Sequence, residues 1–168
     1  MKRGSLTTNC TRIFTGPLRD AEVEIFGRNT YELMYPYWHD VAVNQSQTNA
    51  LNEFALAYDA IPKIVFSTTL ESVEWNNTTL LSSNLREEIL KLKQQSGKNI
   101  FIGGLNIASQ VAQWDLIDKY HFVVHPIIAG KGPRLFTAGG EHSLMLVASK
   151  TFSSGAIALH YKTVRGEQ

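Results

Sequence analysis

The chain has 168 residues, with 16 Lys+Arg against 15 Asp+Glu, 43% hydrophobic residues and one cysteine. That apolar share excludes a disordered chain, and the charge balance gives no electrostatic reason for nucleic acid or an anionic membrane as the main partner. A lone Cys10 excludes an internal disulfide framework and a Cys-based zinc site, and no apolar run approaches the roughly 20 residues of a membrane span. The basic start, Met1-Lys2-Arg3-Gly4, lacks the apolar stretch of a secretory signal, so a cytoplasmic location is expected.

Residues 1–17 are poorly patterned, with Gly16-Pro17 expected as a breaker, and one domain is expected over 18–168. Val23, Ile25 and Phe26 predict a short buried strand stopping at Gly27. Tyr31, Leu33, Met34, Tyr35 and Trp38 follow at helical spacing, with Pro36 expected to break that helix. A polar loop at Asn44–Thr48 precedes a helix over Asn49–Tyr58, its apolar face made by Leu51, Phe54, Ala55 and Tyr58. Pro62–Ser67 reads as a strand and Val73–Leu81 as a weaker one. Asn84 is placed to cap a helix over Leu85–Gln95, ended by Gly97. Ile100–Ile102 predicts a strand meeting Gly103-Gly104, and Asn106–Trp114 a helix. Tyr120–Ile128 is β-rich, and the strands Leu144–Phe152 and Ala156–Val164 are joined through Ser153-Ser154-Gly155, a hairpin signal. Alternating strands and helices followed by strand after strand predict one mixed α/β sheet, parallel first and antiparallel at its C-terminal edge.

Two strand ends are alike: Ile25-Phe26-Gly27-Arg28-Asn29-Thr30 and Phe101-Ile102-Gly103-Gly104-Leu105-Asn106. Each is a strand meeting glycine and then a helix, where backbone can approach a ligand and helix N–H groups suit phosphate. Arg28 adds a planar fork for phosphate oxygens, and Phe66-Ser67-Thr68-Thr69 offers hydroxyls at a comparable place. None of these matches the usual GxGxxG or GxxxxGK[ST] spacing. Three such strand ends can still line one dinucleotide groove.

The run Phe26-Gly27-Arg28-Asn29-Thr30-Tyr31-Glu32-Leu33-Met34, with Tyr37-Trp38, resembles the "GR-x-TY…YW" signature of the dihydrofolate-reductase-like superfamily. The branch it resembles contains the reductase domain of the bifunctional riboflavin-biosynthesis deaminase-reductase. Pro62–Leu70, Ile102-Gly103-Gly104, Leu116-Ile117-Asp118, Pro126–Phe136 and Phe152–Gly155 follow in the same order, so the resemblance covers about residues 18 to 164. It implies a three-layer fold, a central mixed sheet with helices on both faces, and an NADPH-dependent reductase acting on a small pterin-like or riboflavin-precursor-like substrate. Carried over, Gly27, Arg28 and Thr30 would sit at the cofactor's phosphates and Ser67 and Thr68 near the adenosine 2′-phosphate. Gly103, Gly104, Leu105, Asn106 and Ile107 would cradle the pyrophosphate. Trp38 and His125 are the candidate substrate residues, each with core or sheet-face packing as the simpler reading, and no catalytic acid is assigned. A homodimer is expected from the family.

One departure bears on activity. The family's opening strand and its "S-[LVM]-DG-[YF]" loop have no counterpart in Met1–Arg19, so a start that is shortened or diverged is expected. The alternative function is then a catalytically degenerate, nucleotide-binding or inactive dimeric homologue. His121 and His125 are expected on one face of the same strand, where no third ligand argues for metal.

Overall fold

A computed structural model describes residues 13–95, 97–136 and 140–165. Most of the stretch expected to lack the opening strand, residues 1–12, lies outside them. The chain divides into two compact units at Ala108/Ser109.

The first unit is built on a four-stranded parallel sheet of order β3-β2-β1-β4. Its strands are β1 (Ala21–Gly27), β2 (Lys63–Phe66), β3 (Thr78–Leu81) and β4 (Asn99–Ile102). Its helices are α1 (residues 13–19), α2 (Arg28–Asn44), α3 (Asn49–Ala60), α4 (Leu85–Gln94) and the start of α5 (Leu105–Gln113). The registers Glu24↔Lys63, Phe26↔Val65 and Glu24↔Phe101 put these residues on one sheet face. Phe26 and Val65 there join Trp38, Val41, Leu51, Phe54, Ala55 and Tyr58 of α2 and α3 in one core. Every residue predicted for the apolar face of α3 is buried. Ile25 and Gly27 belong to the opposite face, where Gly27 lies against Ile107 of α5.

Three expectations change in this unit. Gly16-Pro17 does not break the chain: both lie in α1, where buried Leu18 and the edge-on contact of Phe14 with Phe101 outweigh weak local preference. Pro36 lies inside α2 rather than ending it. The hydrogen bond that proline removes is local, and burial of Trp38, Val41 and Ala42 beyond it carries the helix on to Asn44. Asn84 stands at the cap position of α4 in a left-handed conformation, φ 63, and caps through no side-chain bond.

The second unit holds a three-stranded antiparallel sheet of order β5-β7-β6. These are β5 (Lys119–Val124), β6 (Leu144–Thr151) and β7 (Ile157–Thr163). β5 stops at Val124, short of the expected Ile128, because Pro126 has no N–H for a ladder bond. The hairpin turn falls where expected: Gly155 takes φ +82, and Phe152 N–H donates to the Ala156 carbonyl at 2.9 Å. Parallel and antiparallel strands are both present as expected. Their ladders close as two sheets, one in each unit. Among the described residues, no helix is long and apolar enough to cross a membrane.

Candidate functional site

The parallel sheet aligns the carboxyl ends of its strands, which is where crossover topology leaves room for a ligand. β1 ends at Gly27, β2 passes into Ser67, and β4 passes into Gly103. The ladder continues into these ends: Gly103 N–H donates to the Ile25 carbonyl and Ser67 N–H to that of Leu81, both at 2.9 Å.

Gly104 is required where the start of α5 approaches that of α2. Gly104 takes φ +79, and a Cβ built on it would run into the Thr30 hydroxyl. A Cβ on Gly27 would sit 3.6 Å from Ile107 Cγ1. Gly27 with Ile107, an ordinary contact, and Gly104 with Thr30, a tight one, bring the two helix starts to one junction, and Gly103 precedes it. α2 starts from Gly27 with no side-chain cap, which leaves the N–H groups of its first turn for another acceptor. Leu105 and Asn106 are exposed at the start of α5.

Arg28 joins this junction to the end of β2. Its Nη1 donates to Thr69 Oγ1 at 2.9 Å, and its Nε meets Glu32 Oε1 at 2.6 Å. Ser67 Oγ accepts from the N–H groups of Thr69 and Leu70, at 3.1 and 3.0 Å, and lies 3.3 Å from Thr69 Oγ1. Thr68 is exposed in the same turn, and it is Thr69 that reaches the arginine. In the sequence Thr69 reads only as one of the hydroxyls of that strand end, with no assigned role, and Glu32 is not among the expected site residues. The Arg28–Glu32 spacing of four along a helix was the available signal for the second.

Below this surface lies a buried polar group of the core. Glu24 is 3% exposed, and Tyr58 O–H donates to its Oε1 at 3.1 Å. Burial pushes its carboxyl up to about 8, against smaller opposing effects of Tyr58 and Lys63. Lys63 is pulled down to about 8 by burial, against the attraction of Glu24 and Asp59. Its Nζ donates to the carbonyls of Ile61 and Asp59 and stands 4.4 Å from the centre of the Trp75 ring. Asp59 accepts from Trp75 Nε1 at 2.7 Å and meets His39 Nδ1 at 2.9 Å. A Cβ on Gly103 would lie 2.9 Å from Glu24 Oε1, so the carboxyl sits directly under that loop.

The substrate candidates are placed separately. Trp38 is 7% exposed and packs on Phe54 and Tyr58, which is its core-packing reading. His125 follows the end of β5 in the second unit. In that unit His121 pairs with His160 rather than with His125, their rings stacked at 4.2 Å. Burial, and then His160 and Lys119, push the His121 pKa down. An open cavity of about 690 Å³ there is lined by His121, His142, Tyr161 and apolar neighbours. Among the described residues, no group of three or more metal-ligating side chains occurs.

The two sheets and their helices make this an α/β protein of the dihydrofolate-reductase-like fold. Residues 7–158 match the RibD C-terminal domain family, and the chain belongs to that family. The uncharacterised protein YyaP of Bacillus subtilis (strain 168) is 27% identical over 150 residues, covering 88% of this chain and 77% of YyaP. YwjB, also uncharacterised and from the same organism, is 32% identical over 99 residues, covering 58% of this chain and 56% of its own. A putative riboflavin biosynthesis protein from Shewanella sp. PV-4 shares the fold with a TM-score of 0.64 at 18% identity, over 98% of this chain and 81% of that one. A pyrimidine reductase-like protein from Corynebacterium diphtheriae does so with a TM-score of 0.55 at 17% identity, over 89% and 79%.

Proposed function

We propose that the protein is an NADPH-dependent oxidoreductase that reduces a small heterocyclic C=N or C=O compound, pterin-like or riboflavin-precursor-like. The observation that carries this reading is the meeting of Gly27-Arg28, Ser67–Thr69 and Gly103-Gly104 at the carboxyl ends of three adjacent parallel strands. The residues fit the cofactor chemically. The Gly103-Gly104 loop and the uncapped start of α2 offer backbone to a pyrophosphate. Arg28, Ser67 and Thr69 offer a cation and two hydroxyls to a further phosphate.

When bound, the nicotinamide supplies the hydride. The chain's own residues bind and orient: the glycine junction fixes two helix starts, and Arg28 with the Ser67 turn fixes the adenosine end. We propose, too, that the chain acts as a homodimer. Met145, Leu146 and Val147, on a strand that is an edge among the described residues, are 55%, 51% and 44% exposed. An apolar, unpaired edge of that kind favours burial against another copy.

The cofactor reading is tested by titrating the purified chain with NADPH and, separately, NADH, followed by tryptophan fluorescence. Micromolar NADPH binding, tighter than NADH and weakened roughly tenfold or more in Arg28→Ala, is expected for a lost charged hydrogen-bond pair. A folded chain that binds neither nucleotide, or an Arg28→Ala variant that binds NADPH unchanged, refutes it.

A further inference from the structure

The cation of the adenosine end is already engaged by a carboxylate. Glu32, one turn along α2, meets Arg28 Nε at 2.6 Å, while Thr69 takes Nη1 from the other side. Both side chains of the ion pair are 46% exposed, so the pair is open to solvent. Resting on the NADPH reading above, we infer that Glu32 sets how strongly this chain prefers a 2′-phosphorylated nucleotide, by competing with that phosphate for Arg28.

The argument is one of geometry and charge. A guanidinium grips two phosphate oxygens best along an edge, and the edge formed by Nε and Nη2 is blocked at Nε by Glu32. Thr69 leaves the guanidinium held over the Ser67 turn, so an arriving phosphate dianion meets Arg28 from a fixed position with Glu32 beside it. An exposed pair four residues apart on a helix is held weakly, so the phosphate can displace the carboxylate. The negative charge stays on α2 after displacement and repels the dianion at short range. A nucleotide with a plain 2′-hydroxyl has no group that competes with Glu32.

The test is calorimetric titration of NADPH and NADH into the wild-type chain, Glu32→Gln, Glu32→Asp and Arg28→Ala. Glu32→Gln removes the charge at an exposed position, and NADPH should bind about three- to tenfold more tightly with NADH unchanged. Glu32→Asp keeps the charge on a shorter stem and should stay within about twofold of wild type for NADPH. A merely structural role for Glu32 would instead move both nucleotides together, and in both variants. The inference is overturned if Glu32→Gln leaves NADPH affinity unchanged or weaker, or changes NADH equally. Wild-type chain that does not bind NADPH, or Arg28→Ala that binds it unchanged, overturns the cofactor reading and this inference with it.

Discussion

Glu24→Gln isolates the cost of a carboxyl held in the core. Glu24 sits beside Lys63 in the parallel register, is 3% exposed, and its Oε2 is buried with no hydrogen-bond partner among the described residues. Its pKa is raised from 4.5 to about 8, chiefly by burial. Below pH 4.5 the group is protonated in the folded and unfolded chains alike and contributes no pH dependence. As pH rises toward 8 the unfolded chain gives up this proton and the folded chain keeps it, so stability falls across that window. At about 1.36 kcal/mol per unit, the shift amounts to roughly 5 kcal/mol by pH 8, an upper bound for a group that can relax toward water. Lys63 acts in the opposite sense. Its pKa is lowered from 10.5 to about 8, so its penalty is full below 8 and is relieved as pH climbs to 10.5. The two groups together place a minimum of stability near pH 8. Glutamine keeps an acceptor for Tyr58 and cannot ionise. Urea unfolding followed by tryptophan fluorescence at pH 5, 6, 7 and 8 should show the variant within about 1 kcal/mol of wild type at pH 5 and several kcal/mol more stable at pH 8. A difference that stays constant over this range would refute the reasoning, because only a titrating group produces a slope.

Gly104→Ala forces a side chain onto φ +79 and into Thr30. Thermal unfolding should register a loss of about 1–3 kcal/mol, and NADPH binding should weaken as the two helix starts part. Trp75→Phe keeps an aromatic face for Lys63 but removes the 2.7 Å donor to Asp59. Chemical denaturation should show a loss of about 1–2 kcal/mol, and a neutral result would mean that His39 alone satisfies the carboxylate.

Local periodicity carried most of the element reading, because it reports burial directly. The face of α3, the strands around Ile25, Val65 and Phe101, and the Gly155 turn all follow from residues whose preference and burial agree. The two proline failures share one cause. At Pro36 and Pro17 a local preference for breaking a helix met long-range packing of Trp38, Val41 and Leu18, and packing won. Tyr120–Ile128 failed the other way. Ile127 and Ile128 look like strand residues, yet with Pro126 before them they are 62% and 100% exposed outside β5.

The candidate site divides along the same line. Gly104 marks a backbone requirement, a positive φ with Thr30 against it, and Gly103 leaves room for the Glu24 carboxyl, so both are visible in sequence as glycines at a strand end. The side-chain partners are not visible in this way. Thr68 and Thr69 are the same residue type one position apart, and only the turn set by Ser67 Oγ on the Thr69 and Leu70 amides decides which hydroxyl meets Arg28. Glu24 is hidden for the opposite reason: in a strand read as apolar, a carboxyl signals exposure, and only the pairing with Lys63 under α3 shows that it is buried. A backbone demand at a strand end therefore points to where the candidate site lies. The side chains around it, Thr69 on Arg28 at the surface and buried Glu24 beneath, come from neighbours that only the folded register supplies.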